Sequence, residues 1–238
     1  MIFDFHKMKN IIFDVDDTLY DLMEAFDKVH KEFFEDKTKE DCEELFKRSR
    51  IYSDEAFYMA REGKISHDDE FAYRIQKTYK DSGIEVSKEE AKQFEERYRY
   101  HQKHIHVPDG IKALLSECKK QGKTMGLLTN GTVRHQGKKL KTLGLSQWFD
   151  KDEMFISDAI GYTKPNIKAF QIVQDKMNLI PEETWFVGDT FEVDVVGAKK
   201  AGWHVIWFNH RKRPMPEGDI RPDLEVRTVE ELMDVITK

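Results

Sequence analysis

Cysteine is scarce in this chain: two residues in 238, Cys42 and Cys118, with no Cys-x-x-Cys. That excludes a disulfide framework and a cysteine-based structural zinc site, and it fits a reducing compartment. No apolar run approaches the roughly 20 residues of a membrane helix. The N-terminus lacks the basic-then-apolar layout of a signal peptide. The expected location is therefore cytoplasmic, with no membrane partner. Positive charge is not in excess either. Lys plus Arg is 39 against 45 for Asp plus Glu, a net charge of -6. Nucleic acid, which needs a basic face, is disfavoured as a partner. Residues 1–7 precede a second methionine, Met8, and are expected to form a loose tail or an extra edge strand.

The chain that remains has two rhythms. Residues 20–104 show no strand alternation and no repeat. Apolar residues recur there at helical spacing, as in Leu22, Ala25, Phe26, Val29 and Phe33. A second run carries Cys42, Leu45 and Phe46, and a separate short stretch covers 53–61. Gly63 and Gly83 are breaks, and Ser87-x-x-Glu90 is a capping box for the last helix of the span. Aromatics such as Phe26, Phe57, Tyr58 and Tyr73 are expected mostly to form this region's own core, with one or two facing the substrate. After residue 107 helix and strand alternate. Strands are expected at 124–128, 154–157, 184–187 and 203–208, and helices at 111–121, 133–143, 166–177 and 193–200. A basic, Pro-rich loop spans 210–222, and Thr228-x-x-Glu231 caps a final helix. Such alternation means βαβ units and a doubly wound, Rossmann-like parallel sheet. The helical span, 20–104, is too long for a crossover. It reads as a subdomain inserted into a core of 1–19 and 105–238, placed as a lid.

The core is organised around Ile11-Ile12-Phe13-Asp14-Val15-Asp16-Asp17-Thr18-Leu19. An apolar, β-prone run breaks into acid at its carboxyl end, where open α/β sheets bind ligands. If the chain stays extended, Asp14 and Asp16 point to one side. A blander reading makes these acids turn and cap residues. Three further fragments, each just after an apolar run, weigh against it: Thr129-Asn130-Gly131, Lys164-Pro165, and Gly188-Asp189 with Asp194 behind it. Together they point to phosphoryl transfer.

These fragments resemble the motifs of the haloacid dehalogenase (HAD) superfamily, specifically its phosphatases. The resemblance covers residues 8–20 and 108–236, with only a generic likeness to that family's helical cap between them. Asp-x-Asp-Asp-Thr-Leu with Thr-Asn-Gly looks most like the nucleotidase-type members. The resemblance implies an α/β HAD core with an all-helical cap and a small phosphorylated metabolite as substrate. The expected assembly is a monomer or homodimer.

Asp14 is the expected nucleophile, giving an aspartyl-phosphate. Asp16 is the expected acid and base toward the leaving oxygen and the hydrolytic water. Two carboxylates 4 Å apart repel by about 4 kcal/mol at an effective dielectric near 20. A cluster of them demands a cation, and all-oxygen ligands select Mg²⁺ over zinc. Asp14 and Asp189 are the expected carboxylate ligands, and the resemblance adds the Asp16 carbonyl. Asp194, Thr18 and Gly188 are placed behind them, Gly188 for close backbone approach, while Asp17 shapes the turn. Thr129 and Asn130 are expected to hold the phosphoryl group, with Lys164 offsetting its charge. The leading expectation is a Mg²⁺-dependent phosphatase, with a 5′-nucleotidase as the favoured subtype. A sugar-phosphate or phosphoglycolate phosphatase and a phosphomutase are the enzymatic alternatives. A receiver-like, phospho-accepting module is the non-enzymatic one.

Overall fold

A computed structural model describes residues 8–237. The expectation for residues 1–7 lies outside them. The chain divides into two compact units. One runs to Asp21 and resumes at His106, and the other is Leu22–Ile105.

In the first unit, β1 (Asn10–Phe13) is buried along its whole length. The second unit then supplies α1 (Met23–Phe33), α2 (Cys42–Arg61), α3 (Glu70–Lys80) and α4 (Lys88–Gln102). The first unit continues with α5 (Asp109–Lys120), β2 (Thr124–Thr129), α6 (Val133–Thr142), β3 (Met154–Ile156), α7 (Ser157–Ile160) and α8 (Ile167–Met177). It ends with β4 (Thr184–Gly188), α9 (Val196–Lys200), β5 (His204–Phe208), β6 (Leu224–Val226) and α10 (Val229–Ile236).

The six strands form one parallel sheet in the order β3-β2-β1-β4-β5-β6. This is a Rossmann-like α/β core, as expected. The strands read as continuous apolar runs because both faces are covered. Ile12, Leu128, Phe186, Val205 and Trp207 join Ala169, Phe170 and Val173 of α8 and Ala198 of α9 in one buried cluster. Neighbouring residues such as Ile11 and Phe13 point to the opposite face. The strand order reverses between β1 and β4, which pair as Phe13↔Val187. The ends of those two strands are therefore the switch point where such sheets hold ligands.

Three features depart from the sequence reading. The three-residue β6 was not expected; it is an edge strand held by Ile206↔Leu224 and its neighbours. The expected 193–200 helix is a π-helical turn, Phe191–Val195, followed by the short α9. The two apolar stretches around Cys42 and Ser53 form the single helix α2, since neither Gly nor Pro interrupts them.

In the second unit, Phe26, Val29, Leu45, Phe46, Ile75, Tyr79, Phe94 and Tyr98 make up most of a shared core. Ser87 and Glu90 close the expected capping box on α4. Phe57 and Tyr58 correct the sequence reading: they are exposed, stacked edge to face on the outside of α2 rather than in the core.

Candidate active site

The chain leaves β1 at Phe13, and the Asp14 amide donates to the Val187 carbonyl at 2.8 Å. This bond continues the β1–β4 ladder by one step and fixes Asp14 beside Gly188. Lys164, between α7 and α8, donates from Nζ to Asp14 Oδ1 at 2.6 Å and to Asp194 Oδ1 at 2.7 Å. All three side chains are buried. Asp14, Asp189 and Asp194 each bring an oxygen within 4.8 Å of the others. The donor set is wholly carboxylate, as a hard divalent cation such as Mg²⁺ prefers.

The electrostatics follow from burial. Desolvation raises the Asp14 carboxyl, Lys164 partly offsets this, and Asp194 and Asp16 add repulsion; the result is a pKa of about 7. Burial also pushes Asp189 well above the usual carboxylate range, with Asp17, Asp194 and Asp14 adding to it and Arg213 opposing. Lys164 is disfavoured by burial, but its two carboxylates more than restore the charge and raise its pKa. Lys164 serves Asp14 and Asp194, and only the partly exposed Arg213 serves Asp189, so the three acids are short of positive charge, which is the electrical condition for a bound cation.

Gly188 is required by contact. A Cβ there would lie 2.4 Å from Asp194 Oδ2. Asp194 also accepts from the Thr190 amide at 3.0 Å. An Asp194 oxygen lies within 4.8 Å of one from Asp14 and one from Asp189, while Lys164 and the Thr190 amide hold its two oxygens.

Asp16 faces different partners. The strand ends at Phe13, Asp17 takes φ 61°, and Asp16 bridges back to Tyr20. The left-handed turn thus comes after the Asp14–Asp16 pair, and Asp16 is near enough to raise the Asp14 carboxyl by repulsion. The Asp16 carboxylate meets the Lys139 ammonium, the Tyr20 hydroxyl and, at 2.8 Å, Gln136 Nε2. Burial raises this carboxyl, but Lys139 and the three hydrogen bonds outweigh it and hold the pKa at about 2. Thr18 Oγ1 lies 3.4 Å from Asp14 Oδ2.

Thr129 ends β2, the neighbour of β1, and its Oγ1 is buried without a hydrogen-bond partner. Buried hydroxyls are normally satisfied, so this one is open to a ligand oxygen. The Asn130 side chain has another task. Its Nδ2 donates to the Lys164 carbonyl and its Oδ1 accepts from the Lys164 amide, both at 2.9 Å. It thereby fixes the loop that aims Lys164.

Sequence reasoning missed four participants. Lys139 sits on a helix that also carries Lys138 and Lys141, yet it is buried. Its signal was the i,i+3 spacing with Gln136, which puts both on one face of α6. Arg211 donates to both Asp17 oxygens, at 3.0 and 2.7 Å, and His210 donates to the Asp17 carbonyl at 2.9 Å. Arg213 Nη1 lies 3.3 Å from Asp189 Oδ2. Their only signal was the basic composition of the loop after β5.

Sheet order and site define a class: an α/β protein whose switch point carries clustered carboxylates around one buried lysine. The chain belongs to the haloacid dehalogenase-like hydrolase family, whose sequence model matches residues 8–202. It is similar to the glyceraldehyde 3-phosphate phosphatase of Methanopyrus kandleri, 33% identical over 126 residues, 51% of this chain and 53% of that protein. It is also similar to the pyrimidine 5′-nucleotidase YjjG of Escherichia coli, 35% identical over 115 residues, 48% of this chain and 50% of that protein. The matched stretch thus spans about half the length of these relatives. Among solved structures, the HAD-hydrolase YfnB of Bacillus subtilis bound to magnesium superposes with a TM-score of 0.70 at 27% identity, covering 97% of this chain and 99% of that one. Among the described residues no helix is long and apolar enough to cross a membrane.

Proposed function

We propose that this protein is a Mg²⁺-dependent phosphatase of a small phosphorylated metabolite, acting through an aspartyl-phosphate on Asp14. The observation that carries the reading is the Lys164 ammonium, held between Asp14 and Asp194 at the switch point with Asp189 beside them. A carboxylate nucleophile, a fixed cation and a cluster of oxygen ligands stand together there. Asp14, Asp189 and Asp194 fit Mg²⁺, with the Asp16 carbonyl added by family resemblance. When bound, the ion supplies charge neutralisation at the phosphoryl oxygens.

An Asp14 oxygen attacks phosphorus, and the ester P–O bond breaks. The departing oxygen takes a proton from Asp16. Water then attacks phosphorus, gives its proton to Asp16, and the bond to Asp14 breaks to release phosphate. Lys164 holds Asp14 in place and offsets phosphoryl charge, and the unpartnered Thr129 hydroxyl is available to a phosphoryl oxygen. Held ionised by Lys139 and Tyr20, Asp16 is ready as the base; for the acid step it must first leave those contacts and take up a proton from solvent, which the hydrolytic water returns to it in the second step.

Family resemblance and the pyrimidine 5′-nucleotidase of E. coli put nucleoside 5′-monophosphates first in a substrate panel. Sugar phosphates and phosphoglycolate come next, with product analysis to detect a phosphomutase. Residues 20–104 are proposed as the cap that gives specificity. The test is Asp14→Asn, which should leave the fold intact and abolish turnover of 4-nitrophenyl phosphate and of every substrate in the panel. Substantial remaining kcat in a folded variant removes Asp14 as nucleophile.

A further inference from the structure

Four Lys or Arg side chains are buried among the described residues: Arg74, Lys139, Lys164 and Arg211. Lys139 has Asp16, Lys164 has Asp14 and Asp194, and Arg211 has Asp17. Arg74, on α3 of the helical unit, is the exception. It is 5% exposed, and among the described residues no carboxylate pairs with it. One Nη donates to Ser49 Oγ at a long 3.3 Å. The guanidinium carbon lies 5.2 and 5.4 Å from the ring centroids of Phe71 and Tyr98. Its Nε is buried and has no hydrogen-bond partner.

A guanidinium cannot shed its charge near neutral pH, so burial without an anion is a standing cost. Two aromatic faces offset part of it. They leave the Nε–H donor unused, and an unused buried donor is itself unfavourable. The environment gives only partial relief: burial depresses the guanidinium pKa, Tyr98 opposes this, Arg50 contributes like-charge repulsion, and Tyr79 opposes it weakly. What the site lacks among the described residues is an acceptor carrying negative charge. A carboxylate or phosphate, taking Nε–H and one Nη–H together, would supply it in the paired geometry that arginine favours.

We propose that Arg74, with Ser49 beside it, is a binding site in the helical unit for a small oxyanion, a carboxylate or a phosphate. The anion is taken free from solution.

The experiment uses the full chain. The Arg74 Nε–H resonance is assigned by its loss in Arg74→Lys and followed on titration with acetate and with inorganic phosphate. A saturable shift is expected with at least one of them; no shift with either overturns the site, whatever the enzyme does. Where Arg74→Lys misfolds, triple-resonance experiments on the wild type assign the Nε–H through the arginine side chain instead. Acetate or phosphate should also raise the thermal midpoint of the wild type and not of a folded Arg74→Lys; an equal rise in both places the anion elsewhere and overturns the site.

Discussion

Gly188→Ala tests the tightest packing in the candidate active site. A Cβ at Gly188 would stand 2.4 Å from Asp194 Oδ2, 2.6 Å from its Cγ and 2.8 Å from its Cβ. Ordinary contact begins near 3.4 Å, so the Asp194 carboxylate must retreat by about 1 Å. It cannot do so freely. Its Oδ1 accepts from Lys164 at 2.7 Å and its Oδ2 from the Thr190 amide at 3.0 Å, while its own amide donates to the Thr190 carbonyl at 2.7 Å. A retreat of that size stretches both side-chain bonds beyond useful range. Overpacking plus a lost charged hydrogen bond should cost about 2–4 kcal/mol in urea unfolding. Lys164 then loses one of its two anchors, and the Asp14 carboxylate it holds is misplaced. A misplacement of this order should lower kcat toward 4-nitrophenyl phosphate about 100-fold. Adding Asp194→Gly to Gly188→Ala removes all three close contacts, so the double variant should recover part of the stability and none of the activity. If Gly188→Ala keeps its stability within about 0.5 kcal/mol and its rate within about twofold, the packing argument is wrong.

Other outcomes follow from the same charges. Chelation with EDTA should abolish turnover and Mg²⁺ should restore it, with Ca²⁺ a poor substitute because its larger shell is less strict; full turnover in chelator would refute the metal assignment. Lys139→Met should destabilise the protein by about 2 kcal/mol at pH 7, since Asp16 is held at about 2 against an ordinary 3.8 and each unit is worth about 1.4 kcal/mol. That contribution is complete above 3.8 and lost as pH falls toward 2, so equal stability of variant and wild type at pH 7 rules it out. His30, buried with Nδ1 2.9 Å from the Tyr79 hydroxyl, is depressed below 6.5 by burial, against the pull of Asp27 and Glu35. The unfolded chain therefore binds a proton that the folded one rejects, and stability should fall as pH drops below about 6.5, by at most about 1.4 kcal/mol per unit. An NMR titration placing His30 at or above 6.5 would refute this.

What was legible in the sequence follows from local physics. β1 and β4 are apolar runs that stop at Asp14 and Asp189, so strand and site announced each other. Ser87 with Glu90, and Thr228 with Glu231, gave their caps directly because such motifs span a single turn. What was not legible depends on partners far away in the chain. β6 is three residues long and exists through its pairing with β5. Lys139 is buried because Asp16, 123 residues earlier, needs it. Asp17 sits in the left-handed region, with its carboxylate gripped by Arg211, 194 residues later. Phe57 and Tyr58 match the helical period of α2 but face outward, and periodicity alone does not say which side of a helix a core will form on.

The distribution of cations assigns unequal work to acids that look alike in sequence. Burial should raise all of them. Asp16 has Lys139 and Asp17 has Arg211, with Arg211 and His210 holding Asp17 well below the usual range. Those two are settled anions, each held by a cation from a separate element. Asp14, Asp189 and Asp194 share Lys164 and the partly exposed Arg213, and both Asp14 and Asp189 are raised. Environments that push neighbouring carboxylates apart mark a division of labour. Here the set short of cations lies at the switch point of the sheet; beside it Asp17 shapes the turn and Asp16 stands ready as the base. An anionic phosphoryl group entering this site meets net negative charge unless a further cation is present. A bound metal would answer the deficit that the substrate deepens, so binding of one should strengthen binding of the other by the same factor.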